Sequence, residues 1–285
     1  MKLLKEIMTK DFVFMSAPLE DTTDGVFRKL CYKYGADLTF TEMTRIESLA
    51  RNNQSTWAKI EIPDNTPAQI QIVGSNEMSL KRFLSKYEPV NGFAGFNFNL
   101  GCPSPHIVGQ GFGCAMIKRI SKVRKLVALV KDRGHPCSIK MRLGLNNYEK
   151  ERKVYLNLID AIDADFFIIH ARHGAQHYEE SADYSIFKEC VKLGKPIIAN
   201  GDIEKKEQID FLKSIGVKGA MIGRAAVRDI AIFDRLKGNI APNVEELRLE
   251  YSALAIEMNS RFKYRENVLK RLGKPIFKED SQELG

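Results

Sequence analysis

From Phe12 to Ile222 the chain alternates short apolar runs with longer stretches in which apolar residues recur every three or four positions. The first pattern predicts strands buried on both faces, the second amphipathic helices. Phe12-Val-Phe-Met-Ser-Ala reads as the first strand, ended by Pro18. Asp37-Leu-Thr-Phe-Thr, Ala68-Gln-Ile-Gln-Ile-Val, the segment from Phe93 to Asn99 and Ser138-Ile-Lys-Met-Arg-Leu follow. Asp165-Phe-Phe-Ile-Ile-His, Pro196-Ile-Ile-Ala-Asn and Gly219-Ala-Met-Ile complete a set of eight. Helices are expected between them, with Asp24, Ser121 and Asp183 as caps. Eight strand–helix units predict a parallel sheet closed into a (β/α)8 TIM barrel. A doubly wound open sheet is the alternative.

Beyond Pro242 the pattern changes. Leu247, Tyr251, Leu254, Ala255 and Met258 form one helical stripe, and Arg261-Phe-Lys-Tyr-Arg-Glu-Asn-Val-Leu-Lys-Arg is basic. Residues 1–241 are therefore expected to form the barrel, and 242–285 a small helical appendage. Mixed Lys, Arg, Phe and Tyr can contact phosphates and bases, or simply form a solvated face.

Composition narrows the class. Among 285 residues, 44% are apolar and 28% charged, which suits a globular chain with a full core. Lys and Arg number 44 against 36 Asp and Glu, a formal charge of +8 that is compatible with a polyanionic partner. The five cysteines (Cys31, Cys102, Cys114, Cys137 and Cys190) are odd in number and scattered, unlike a disulfide framework or a zinc site. A reducing cytoplasm is the expected compartment, and no apolar run reaches membrane-spanning length. His170, His173 and His177 lack a helical register that would align three rings, so no metal site is expected.

Candidate chemistry collects where strands end, because those ends converge on one mouth of a barrel. The polar residues there are Gln71, Asn99 with Cys102, Lys140 with Arg142, His170 with Arg172, Asn200-Gly201-Asp202 and Gly223-Arg224. Lys140, inside an apolar strand, must reach either solvent or the mouth. Gly201 and Gly223 close the last two strands, where barrels commonly hold a phosphate through backbone N–H groups, and Arg224 can add charged donors. A thiol at Cys102, on a loop broken by Gly101, Pro103 and Pro105, can supply or take a proton.

Several motifs together resemble the tRNA-dihydrouridine synthases. They are Ala17-Pro18, Thr23-Asp24-Gly-Val-Phe-Arg28, Gly35-Ala-Asp-Leu-Thr-Phe-Thr-Glu-Met43, Gln71-Ile-Val-Gly74 and Asn99-Leu-Gly-Cys-Pro-Ser104. Lys140-Met-Arg-Leu-Gly144, His170-Ala-Arg172, Asn200-Gly-Asp-Ile203 and Gly223-Arg224 continue the series. The resemblance implies a TIM barrel with a C-terminal helical domain and an FMN cofactor reduced by NADPH. Hydride then passes to C6 of a tRNA uridine while Cys102 protonates C5. It further implies that Pro18, Leu19 and Glu20 border the flavin. Gln71, Lys140 and His170 contact its ring and ribityl chain, and Asn200, Gly201, Asp202, Gly223 and Arg224 hold the ribityl chain and phosphate. Asn99 holds the uracil edge, with Arg142 and Arg172 as further substrate contacts, and tRNA is the partner of a protein expected to be monomeric. The chain departs from the family pattern at Asn97, where an acidic residue is frequent, and at His173, Ala225 and Arg228-Asp229. Its helical tail is also short for the family. Rival readings are a flavin barrel reductase of free pyrimidines, a tRNA-binding protein without catalysis, and a flavin-free lyase using Lys140 as a Schiff-base amine.

Overall fold

A computed structural model describes residues 2–275. The eight expected strands all form, and a ninth, two residues long, joins them. They are β1 (Val13–Ser16), β2 (Thr39–Phe40), β3 (Thr44–Arg45), β4 (Ala68–Val73), β5 (Phe93–Leu100), β6 (Cys137–Met141), β7 (Phe167–His170), β8 (Ile197–Asn200) and β9 (Gly219–Ile222). Every pairing is parallel. The order runs β1-β9-β8-β7-β6-β5-β4-β2, with β3 also on β4. The remaining gap closes through a parallel bridge between Met15 and Leu38, reinforced by the Ser16 N–H donating to the Leu38 carbonyl at 3.0 Å. Closure removes both sheet edges and rules out the doubly wound alternative.

The apolar runs read as strands because each strand is covered twice. Outward residues such as Phe96, Ile139, Phe167 and Ile222 pack under the surrounding helices, while Met15, Phe40, Ile168, Ile198 and Met221 fill the barrel itself. Leu4 and Ile7 of the helix Lys2–Met8 join that inner cluster at the end where strands begin. The opposite end, where strands finish, is left for polar residues. One side of the interior is polar too: Gln69, Gln71, Asn97 and Ser138 are almost wholly buried on β4, β5 and β6.

Local details correct two expectations. Asp24 does cap Gly25–Lys33, accepting from the Phe27 N–H at 3.0 Å. Ser121, however, lies inside the first turn of Ile120–Lys131 and caps nothing, since the helix begins one residue earlier. The loop of Cys102, expected to be broken by Gly101, Pro103 and Pro105, runs on into short helices at Pro105–Gly109 and, as a 3-10 turn, Gly113–Met116, since Pro105 sits in the first helical turn where its missing N–H costs nothing.

The C-terminal helices Val244–Glu257 and Phe262–Arg271 pack against the barrel. Asn243 caps the first in a reciprocal capping box with Glu246. Tyr251, Ala255 and Leu247 are buried beneath it, and Val268 and Tyr264 beneath the second. Tyr264 donates its hydroxyl to the buried carboxylate of Glu42, and the Asn267 amide donates to the Asp21 carbonyl at 2.9 Å. Lys263 pairs with the Asp21 carboxylate. Part of the basic segment thus turns inward onto the loop that follows β1. Among the described residues no helix is long and apolar enough to cross a membrane.

Candidate functional site

A cleft of about 390 Å³ opens at the strand C-termini. Its wall includes Pro18, Leu19 and Glu20 after β1, Gln71 on β4, Asn99 and Cys102 at the end of β5, and Lys140 and Arg142 from β6. His170, Asn200-Gly201-Asp202 and Gly223-Arg224 complete it. The structure therefore brings together every candidate residue except Arg172. That guanidinium is fully buried behind the wall. It forms a two-pronged pair with Asp202 and donates to the Glu180 carbonyl. The tight turn in which the Arg172 N–H bonds the His170 carbonyl at 2.7 Å tips its side chain away from the opening.

The Cys102 loop is held from both sides. Asn99 Oδ1 accepts from the backbone N–H groups of Gly101 at 3.0 Å and Cys102 at 2.9 Å. Behind it, the Cys114 N–H donates to the Cys102 carbonyl at 3.1 Å, and the Cys114 thiol to the Gly101 carbonyl at 3.0 Å. Gly113 makes this approach possible: at φ +56° any Cβ would sit 2.3 Å from the Cys102 carbonyl oxygen. The Cys102 thiol is half-buried, and that burial raises its pKa, with Glu20 adding to the rise. A bond from the Ser104 N–H and the charges of Arg142 and Lys140 only partly offset it. The thiol is therefore protonated at pH 7 and available as an acid.

Lys140 stands in the cleft without a protein partner among the described residues. Burial and the neighbouring Arg142 guanidinium lower its pKa to about 8, and no hydrogen bond or ion pair compensates it among the described residues. Lys140 is half-buried at the cleft wall, where an acceptor from a bound molecule can pair with its ammonium. His170 is neutral, its pKa driven well down by burial and by Arg142, Lys140, Arg172 and Arg224 around it. At β8 and β9 the wall is ionic. Asp202, at a left-handed φ of 51°, takes Arg172, then Arg224 at 2.8 Å and the Ala182 N–H at 3.1 Å.

Tyr178 was not singled out from the sequence, yet it lines the cleft. Its ring stacks on His170 at 5.9 Å and lies 4.3 Å from the Arg224 guanidinium carbon, with Arg142 and Arg172 each at 5.5 Å. Three guanidiniums thus gather around one ring, and Asp202, paired with two of them, offsets their like charge. Met43, Arg45 and His106 are further lining residues that were not anticipated. No group of three or more metal-ligating side chains occurs among the described residues.

Fold and mouth together define a TIM-barrel protein with a ligand cleft at the strand C-termini. The same fold occurs in an old yellow enzyme homologue from Zymomonas mobilis (TM-score 0.55, 11% identity, 86% of this chain and 92% of that one). It occurs also in morphinone reductase in complex with tetrahydroNAD (TM-score 0.54, 12% identity, 81% and 87%). The sequence then specifies the family. The dihydrouridine synthase (Dus) model matches residues 15–276. A probable tRNA-dihydrouridine synthase of Helicobacter pylori is 31% identical over 244 residues, 82% of this chain and 72% of the relative. A probable tRNA-dihydrouridine synthase 2 of Bacillus subtilis is 30% identical over 233 residues, 78% and 71%. The chain belongs to the dihydrouridine synthase family, NAD(P)-dependent flavin oxidoreductases that form dihydrouridine in tRNA.

Proposed function

We propose that this cleft binds FMN and one flipped tRNA uridine side by side, with NADPH as the reductant and Cys102 as the proton donor. The observation that carries the reading is an unpartnered Lys140 beside a protonated Cys102 at the mouth of the cleft, on adjacent strands. A bound flavin supplies the hydride exchange between the nicotinamide and the uracil ring. Lys140 would meet its electron-rich ring edge with a positive charge, and His170, neutral, would offer a ring nitrogen. Pro18, Leu19 and Glu20 would border it, and Asn200, Gly201 and Asp202 the ribityl chain. Gly223 leaves room for close approach at the cleft wall: an added Cβ would meet only Ala17 at 3.4 Å and Leu19 at 3.8 Å. Arg224, already oriented by Asp202 and Tyr178, would meet the phosphate.

For the substrate, Asn99 would hold the uracil edge and Arg142 would reach the nucleotide. Arg142 is itself fixed by the His173 carbonyl at 2.9 Å. Arg172, which does not reach the cleft, would act through Asp202 as a positioning residue. The target base must leave its stack to enter a cleft of this depth. We assign residues 1–241 to the catalytic barrel and the two C-terminal helices to tRNA contact, with the exposed Arg261 and Phe262 available to phosphate and base.

The test is spectroscopic. Purified protein should show a flavin spectrum that bleaches anaerobically with NADPH and recovers on adding unmodified tRNA transcript. A protein that recovers equally with free uracil or orotate would instead be a reductase of small pyrimidines.

A further inference from the structure

We propose that Asn97 is a positioning residue that fixes the Asn99 amide, so that the substrate edge taken by Asn99 must be a carbonyl oxygen. The inference rests on the reading of the cleft as a uridine site. Six polar groups on three adjacent strands form one head-to-tail chain through the barrel interior. Asn99 Nδ2 donates to Gln71 Oε1 at 2.9 Å, and Gln71 Nε2 donates to Asn97 Oδ1 at 2.8 Å. Asn97 Nδ2 donates to Ser138 Oγ at 2.7 Å, Ser138 Oγ to Gln69 Oε1, and Gln69 Nε2 to the Ala94 carbonyl at 3.1 Å. Strand register produces the contacts, since Gln71 lies opposite Asn97 on β4 and β5, and Asn97 opposite Ser138 on β6.

The direction of this chain is set at both ends by backbone groups that cannot reverse. At the mouth, the Gly101 and Cys102 N–H groups require Asn99 to present its oxygen. At the far end, the Ala94 carbonyl requires Gln69 to present its nitrogen. Asn97 sits between them, wholly buried, and is the link that passes the direction from one strand to the next. A primary amide has two acceptor lone pairs and two N–H donors. Asn99 has spent both lone pairs on the loop and one N–H on Gln71, so one N–H remains. A pyrimidine carbonyl can pair with it, whereas an exocyclic amino group in the same place would leave two donors facing each other.

Anaerobic stopped-flow on the flavin-loaded enzyme tests this by separating bleaching with NADPH from recovery with unmodified tRNA transcript. Asn97→Leu removes the acceptor for Gln71 and lets the Gln71 amide turn, so that Asn99, its oxygen still held by the loop, loses the acceptor that fixes its Nδ2 and its plane, whereas Asn97→Asp keeps that acceptor. Bleaching should stay within about threefold of wild type in Asn97→Asp and slow by no more than about tenfold in Asn97→Leu, which also loosens Gln71 at the cleft wall. Recovery should slow by about 10²-fold in Asn97→Leu and by no more than about fivefold in Asn97→Asp. Equal slowing of both half-reactions in Asn97→Leu, or an Asn97→Asp variant as slow as Asn97→Leu, overturns the proposal. If Asn97→Leu does not accumulate as folded protein by its melting temperature, Ser138→Ala cuts the same chain with less disturbance. It should slow recovery alone, by roughly three- to tenfold, and unchanged recovery overturns the proposal. A wild-type enzyme that bleaches with NADPH but never recovers with tRNA would overturn the uridine reading itself, not the role of Asn97 within it.

Discussion

The two sides of the cleft are built from opposite materials. Along β4, β5 and β6 the polar groups are mostly amides and a hydroxyl, joined in a directional chain, with the Cys102 thiol beside them and Lys140 and Arg142 as the charges at the mouth. Along β7, β8 and β9 they are ionic: Arg172, Asp202 and Arg224 lock together around the Tyr178 ring. Neutral groups with fixed donor directions discriminate a neutral heterocycle by the pattern of its edge, since a mismatch leaves a buried group unpaired. A guanidinium oriented by an aromatic ring and an acidic partner, as Arg224 is, suits a phosphate, which is recognised by charge and forked geometry. The difference teaches where each half of a phosphorylated ring cofactor, and of its base substrate, should lie.

The comparison breaks most sharply at Cys102. Cys102→Ala should slow tRNA-driven flavin recovery by about 10²- to 10⁴-fold, with NADPH bleaching within about twofold, measured by anaerobic stopped-flow. Because burial raises the thiol pKa, the wild-type recovery rate should hold through neutral pH. It should decline only at alkaline pH, as the thiol loses the proton it must donate.

Next comes Lys140, the charge on β6 itself. Lys140→Met should weaken FMN binding to the apoprotein by roughly 10- to 100-fold, the size expected for a charged hydrogen bond. In the wild type the ammonium is present below its pKa of about 8 and lost above it, so FMN affinity should fall as pH rises through about 8. Equilibrium fluorescence quenching across pH 6.5–9.5 would show a flat profile if Lys140 is not the partner.

The smallest effect is expected at the tail. Tyr264→Phe removes one hydroxyl from Glu42, whose carboxylate also holds the Asp21 N–H beside Leu19 and Glu20. About 1 kcal/mol of stability should be lost in urea unfolding, with a modest loosening of FMN. The same contacts mean that truncation after Pro242 would disturb the flavin side as well as any tRNA contact.

The strands were legible because burial on both faces writes them as apolar runs; Ala68–Val73 and Gly219–Ile222 fall where the sequence places them. β3 and the helices Ile46–Ala50 and Gln54–Ala58 were not, since two to five residues carry no period and depend on the barrel for support. Strand-end polarity located the cleft, but not the direction of each side chain, which is why Arg172 falls behind the wall. Tyr178 sits in a loop with no strand to announce it. The interior chain did leave a trace: Gln69 and Gln71, Asn97 and Asn99, and Ser138 and Lys140 are spaced by two on three successive strands. Period two puts each pair on one face, and apolar neighbours mark that face as the interior.

The division of the cleft is tested most directly by comparing FMN with riboflavin, the same ring without the phosphate, in equilibrium binding to the apoprotein and to its Arg224→Met variant. The account predicts that the wild type prefers FMN by about 10²-fold and that Arg224→Met cuts the preference to below about tenfold, with riboflavin affinity unchanged. A wild-type protein that binds the two equally, or an Arg224→Met variant that weakens both alike, would contradict it.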